Sequence, residues 1–238
     1  MKSISIIGSK RDVGKNTLAA NIACELSKKN LRVVLGNSLG EHKNNYLIGQ
    51  SFWNQKENTA YYSTKIKNLE FLHFSKEFAH LSPGKLEELL NHLPEDLNQR
   101  ADYFIFSASS PLDFPDRYML LNADMTILVG KIEPTLLSDI FQQLEKISFL
   151  PKKPEKLYLI LNSCRNQEKA VDTYHKILDN LKELNIELPI YFLGMVPEDE
   201  ERMEYAKKMQ KPMIEAFPNI PFHGSIASIT GKILGIDH

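Results

Sequence analysis

Cysteine is scarce. Cys24 and Cys164 are the only two among 238 residues; they lie far apart and have no CxxC spacing, so neither a disulfide framework nor a thiolate zinc site is encoded. Both are expected as small buried hydrophobes. The seven histidines contain no HxxxH or HxH spacing, which removes the common imidazole metal motifs. No apolar run approaches the ~20 residues that a bilayer requires, and the segment after Met1 and Lys2 carries Ser3 and Ser5, so it reads as a strand and not as a leader. Charge of one sign is missing too. Lys and Arg number 29 against 30 Asp and Glu, a formal net charge of -1 at pH 7, without the basic excess of a nucleic-acid binder. The expectation is a cytoplasmic chain with no specific nucleic acid and no strong membrane anchor. Internal repeats, low-complexity tracts and linkers rich in Gly, Ser or Pro are absent as well.

What is present describes one layered domain over residues 1–238. Hydrophobic residues make up 42% and charged residues 25%, enough to bury a single sizeable core. Short apolar runs recur between helical patterns: SISIIG (3–8), LRVVLG (31–36), LEFLHF (69–74), DYFIFS (102–107), MTILVG (125–130), KLYLILN (156–162) and IYFLG (190–194). Continuous apolar strands alternating with helices predict an α/β fold whose mainly parallel sheet, of about seven or eight strands, carries helices on both faces. In the first helix Leu18, Ile22 and Leu26 share a face, and over 167–184 Val171, Tyr174, Ile177, Leu178, Leu181 and Leu184 form a second apolar stripe. Residues 50–68 are polar and irregular, read as a mobile insertion in which the pairs Phe52, Trp53 and Tyr61, Tyr62 pack a loop against the sheet.

Residues 8–17 read GSKRDVGKNT, directly after the first strand and before the first helix. Ligands of such sheets bind beyond the carboxyl ends of the strands. Backbone N–H groups at a helix N-terminus and the ammonium of Lys15 suit phosphate oxygens. Arg11 and Asp12 add side chains where glycines often let a backbone approach phosphate. A carboxylate about 4 Å from a phosphate charge costs on the order of 4 kcal/mol at an effective dielectric near 20; Arg11 would offset this by pairing with Asp12 or with the phosphate.

The segment Lys10-Arg11-Asp12-Val13-Gly14-Lys15-Asn16-Thr17 resembles the deviant Walker A motif, KGGVGKTT, of the MinD/ParA group of P-loop ATPases. Within that group the chain resembles most the FlhG/FleN flagellar-number regulators. RVVLGNSLGEHKNNYLIG (32–49) is similar to their RVLLVDADLGLANVDVLLG, ADYFIFSASSP follows their Walker B segment, NADMTILVGKIEPTLLSDIFQQLEKI their fifth strand and the helix after it, and LGMVPEDEERMEYAKKMQKPMIEAFPN their LGYIPYDEEVRRAVRKQKPFVELYPN. The resemblance implies a single-domain P-loop NTPase fold and ATP or ADP as ligand. It implies that Lys10 is the signature lysine that reaches a dimer partner's phosphates and that Lys15 is the P-loop lysine, with Thr17 on the α phosphate. Arg11, Asp12, Val13, Gly14 and Asn16 complete the loop. Asn162 stands at the adenine-reading position, and Pro197 and Asp199 lie in the loop that packs the base. Asn162 reads equally as a strand-end turn residue, and Asp199 as a first-turn helix residue.

The metal chemistry departs from the pattern. Asn16 replaces the hydroxyl that holds Mg²⁺, Gly36 and Ser38 replace the acidic pair after the second strand, and Ser107 replaces the Walker B aspartate. Phosphoryl transfer needs the metal's charge and an oriented nucleophile, so the expectation is a nucleotide-binding regulator with little or no hydrolysis, Asn16 being the only candidate left for a metal contact. Its partners by resemblance are a second copy, a MinD-like or FlhF-like relative, or flagellar and cell-positioning proteins. Two alternatives stand beside it. One is an active ATPase whose metal site is rebuilt with Glu41 or Asp102. The other is a ligase similar to dethiobiotin synthetase, whose GTDTxVGKT loop the decapeptide also resembles but whose EGAGG segment is missing at SASSP. The first strand starts by Ser3, so the relatives' activator extension for FlhF is expected to be absent. HGSIASITGKILGIDH, with Ile226, Ile229, Ile233 and Ile236 on one face and a single lysine, is expected to pack and not to bind lipid.

Overall fold

The computed structural model describes residues 1–37, 59–74, 82–109, 114–150 and 153–236. The chain runs β1 (Lys2–Gly8), α1 (Lys15–Lys28), β2 (Val33–Asn37), β3 (Thr59–Ser63), β4 (Leu69–Phe74), α2 (Pro83–Arg100), β5 (Tyr103–Ser107), α3 (Phe114–Leu121), β6 (Met125–Lys131), α4 (Leu136–Ser148), β7 (Leu157–Cys164), α5 (Gln167–Glu183), β8 (Ile190–Pro197), α6 (Glu200–Lys208), α7 (Met213–Ala216) and α8 (Pro221–Gly235). It is a single-domain α/β fold. The eight strands form one sheet in the order β3-β4-β2-β5-β1-β6-β7-β8, with β3 and β4 antiparallel and the other neighbours parallel.

Both faces of the sheet are covered, which is why its strands read as unbroken apolar runs. Successive residues point to opposite faces. Ile4 and Ile6 of β1 enter the core under α1, α7 and α8, whereas Ile7 enters the core under α2, α4 and α5. Helix α1 is buried on nearly every side: Leu18, Ala19, Ala20, Ile22, Ala23, Cys24 and Leu26 are all at most 1% exposed. Its alanines let β1, α7 and α8 approach closely. Asn21, also fully buried, donates through Nδ2 to Thr17 O at 2.7 Å and accepts Ile214 N at 3.0 Å, so its amide ties α7 to α1 without leaving a buried polar group unpaired.

Three local expectations change. Residues 59–63, inside the stretch read as an insertion, form the edge strand β3, with Tyr61 opposite Leu72 and Tyr62 opposite Phe71. Tyr62 is buried, and the Arg100 guanidinium lies 4.3 Å from the Tyr61 ring. A five-residue edge strand with polar ends carries too little periodicity to stand out from a loop. Residues 50–58, Phe52 and Trp53 included, lie outside the described residues. On the stripe of α5, Leu184 caps the helix and is 56% exposed. On α8, Ile226, Ile229 and Ile233 are buried against α1 and β8, while Ile236 follows the helix and is exposed. Among the described residues no helix is long and apolar enough to cross a membrane.

Candidate functional site

The loop between β1 and α1 stands at the carboxyl rim of the sheet, where α/β folds hold ligands. Ser9 N extends the strand by donating to Val129 O at 2.8 Å. The chain then turns through Asp12, with φ 58°, and Gly14, with φ 89°. Glycine is required at 14 for two reasons: the left-handed backbone, and a neighbour that leaves no room, since a Cβ there would lie 2.3 Å from Asn162 Nδ2. That amide donates to Val13 O at 2.9 Å, so the end of β7 clamps the loop from above. Gly14 caps α1 with no side-chain hydrogen bond, and the start of a helix is a place where backbone N–H groups suit an anion.

Lys15 and Asn16 are each only 6% exposed. They border a cavity of ≈480 Å³ together with Asp12, Gly14, Thr17, Asn21, Met203, Ala206, Lys207, Lys211 and Met213, a volume within the usual range for small-molecule sites. Sequence reasoning missed its far wall, formed by α6, α7 and the turn between them. Of the residues expected to surround the base, Asn162 clamps the loop as described. Pro197 ends β8 opposite Cys164. Asp199 caps α6, accepting Arg202 N at 3.4 Å and Arg202 Nη1 at 2.8 Å. None of these three lines the cavity. Arg11 and Asp12 are exposed on the loop.

At the opposite side of Asn16 its side chain meets a hydroxyl. Ser107 Oγ, at the end of β5 and fully buried, donates to Asn16 Oδ1. Asn37, at the end of β2, is in register with Ser107. Gly36 faces away from any polar partner: a Cβ there would meet Phe104 at 3.1 Å and Phe106 at 3.3 Å, so aromatic packing fills the space in front of it. Ser38 and Glu41 lie outside the described residues. Mg²⁺ takes oxygen ligands in an octahedron and is usually held through one or two carboxylates. A serine hydroxyl bonded to an asparagine amide does not fit it, and among the described residues no group of three His, Cys, Asp or Glu is arranged to hold a metal.

Asp102 is not a substitute ligand, which corrects the reading of a rebuilt metal site on that residue. It precedes β5 and therefore sits at the opposite rim of a parallel sheet. There it accepts Arg32 N and Arg32 Nη2, each at 2.8 Å, and the guanidinium holds its carboxyl below the usual carboxylate range.

Lys10 is turned into its own chain. Its ammonium donates to Thr135 Oγ1 at 2.9 Å, pairs with Asp139 at 3.0 Å and contacts Glu133, all three in the turn and first helical residues after β6. The two carboxylates raise its pKa.

Comparison with known proteins agrees with this fold. A family model described as the CobQ/CobB/MinD/ParA nucleotide binding domain matches residues 4–213. The flagellum site-determining protein YlxH of Helicobacter pylori is 23% identical over 246 aligned positions, covering 98% of this chain and 82% of that protein. The septum site-determining protein MinD of Pyrococcus horikoshii, solved with Mg-ADP, superposes with a TM-score of 0.74 at 18% identity, covering 100% of this chain and 98% of its own. A MinC:MinD cell division complex from Aquifex aeolicus gives a TM-score of 0.72 at 19% identity, covering 99% and 96%.

Proposed function

Because the chain belongs to the CobQ/CobB/MinD/ParA nucleotide binding domain family, we propose that it is a nucleotide-binding regulator of the MinD/FlhG type that binds ATP or ADP and hydrolyses little or none. The observation that carries this reading is the contrast within one helical turn. Lys15 lies at the start of α1 on a cavity of nucleotide size, while the next residue, Asn16, is bonded to Ser107 where hydrolysis would need a metal and a carboxylate. On this reading binding and turnover are separated, the first supported by the cavity and the second disfavoured by the uncharged Asn16–Ser107 pair.

Such a protein acts through others, in the cytoplasm. A second copy of the chain, a MinD-like or FlhF-like relative, or a flagellar or cell-positioning protein is the expected partner, in keeping with the flagellar relative and with the MinC-bound MinD. Lys10 is the residue expected to reach a nucleotide on a facing copy, and it would have to leave Glu133, Thr135 and Asp139 to do so. The test is paired: nucleotide binding measured by calorimetry and phosphate release measured at steady state with Mg²⁺. The expected result is binding that Lys15→Ala abolishes, with no phosphate release above that of the same variant. Robust Mg²⁺-dependent turnover lost in Lys15→Ala would refute the regulator reading.

A further inference from the structure

We infer that Lys211, with Lys207 beside it, takes over the charge of the missing divalent cation, so that this site holds a nucleoside polyphosphate free of Mg²⁺. The inference rests on the nucleotide-binding reading above and names the form of ligand that the site accepts.

Charge balance is the first argument. Among the described residues the cavity border carries three ammonium groups, of Lys15, Lys207 and Lys211, and one carboxylate, of Asp12. Next to it Asn16 and Ser107, both uncharged, are bonded to each other. A polyphosphate entering this cavity meets positive charge on two sides, from α1 and from the α6–α7 wall. Charge-assisted hydrogen bonds from ammonium to phosphate oxygen are the strong class of such contacts.

Rigid placement of Lys211 is the second. Helix α6 ends in a left-handed residue, Gln210 with φ 54°. Gln210 N donates to Lys207 O at 3.0 Å, and Lys211 N reaches back to Ala206 O at 3.1 Å, the crossed pair of bonds that closes a helix in a Schellman turn. The turn fixes the backbone of Lys211. Pro212 follows, buried, and α7 is in turn held to α1 through Ile214 N and Asn21. Lys211 therefore faces the loop from a wall tied to the helix that the loop opens. Lys207 is held differently, because its ammonium donates to Glu204 Oε1 at 2.5 Å, and a phosphate must draw it away from that carboxylate. Met203, Ala206 and Met213 supply the apolar part of the same wall, which suits a ligand with an anionic end and a flat apolar one.

The experiment is calorimetric titration of the full chain in EDTA and, separately, in Mg²⁺, with ATP, ADP and uncharged adenosine. The variants are Lys211→Ala, Lys211→Arg, Glu204→Gln and Lys15→Ala, each checked by circular dichroism. Wild type is expected to bind ATP in EDTA within about twofold of its affinity in Mg²⁺, and Lys211→Ala to weaken ATP and ADP about fivefold while leaving adenosine unchanged. Lys211→Arg should retain most of the affinity, and Glu204→Gln, by freeing Lys207, should tighten ATP. A wild type that binds ATP only in Mg²⁺ overturns the inference and leaves nucleotide binding standing. So does a Lys211→Ala chain that binds ATP and adenosine as wild type does. Absence of any binding in all conditions removes both readings together.

Discussion

Ser107 Oγ donates to Asn16 Oδ1 across 91 residues of sequence, joining the end of β5 to the first turn of α1. The bond pairs two buried polar side chains with each other. A hydrogen bond between neutral groups therefore joins the loop after β1 to the end of β5.

A carboxylate introduced at Ser107 alone will be costly. Ser107 has 0% exposure, so Ser107→Asp places a carboxylate in a dry pocket beside an amide oxygen and is expected to destabilise the chain by about 3 kcal/mol, or roughly 6–12 °C at this length. Mg²⁺ should leave the melting temperature of the wild type unchanged and recover part of the loss in Asn16→Thr/Ser107→Asp, as a ligand of the folded state does. Thermal melts with and without Mg²⁺ decide it, and a Mg²⁺-induced rise in the wild type would contradict the neutral-pole account.

Gly14→Ala combines two penalties. Its φ of 89° is a conformation that L-residues resist at roughly 1–2 kcal/mol, and its methyl would collide with Asn162 Nδ2, 2.3 Å away. Asn162→Ala in the same chain should relieve the collision and leave the backbone strain. Denaturant unfolding of the two single variants and the double variant is expected to give non-additive losses, the double being more stable than the sum predicts. Strict additivity would mean that Asn162 does not press on the loop.

Both thiols should be silent in the native chain. Cys24 is fully buried, and its thiol is pushed up to about 12, chiefly by burial; Cys164 is pushed up to about 11 for the same first cause. Since the thiolate is the reactive form, a thiol reagent at pH 8 should titrate neither cysteine until denaturant is added, and both thereafter. Rapid labelling of either one in native buffer would be inconsistent with these positions.

The Arg32–Asp102 pair predicts an acid-side loss. The guanidinium and the Arg32 amide hold the Asp102 carboxyl below its ordinary range, so the folded chain binds that proton less readily than the unfolded one. The pair then contributes fully above the unfolded value of about 3.9, and the contribution fades as pH falls through the lower folded value. Both side chains are more than a third exposed, which limits the effect to about 1 kcal/mol at neutral pH. Asp102→Asn should lower stability by that amount at pH 7 and converge with wild type in acid, as followed by urea unfolding across pH.

Much of this protein was legible in one dimension. Order and length of the apolar runs determined a parallel sheet covered on both faces, because a strand buried on two sides has no polar positions to spare. The decapeptide 8–17 determined where an anion would bind, since a loop between a strand and a helix start presents amides by local geometry alone. That Asn16, Gly36 and Ser107 are uncharged was likewise legible in the sequence. Tertiary structure decided what these residues meet. Only folding brings Ser107 to Asn16, Lys10 to Thr135 across 125 residues, and the α6–α7 lysines to the rim of the cavity that Lys15 opens. Strand direction, too, rules Asp102 out as a ligand, because in a parallel sheet the residue before a strand and the residue after it stand at opposite rims. Local pattern fixes which elements form. Which side chains meet at the carboxyl rim depends on strand order, and strand order is set by packing over the whole sheet.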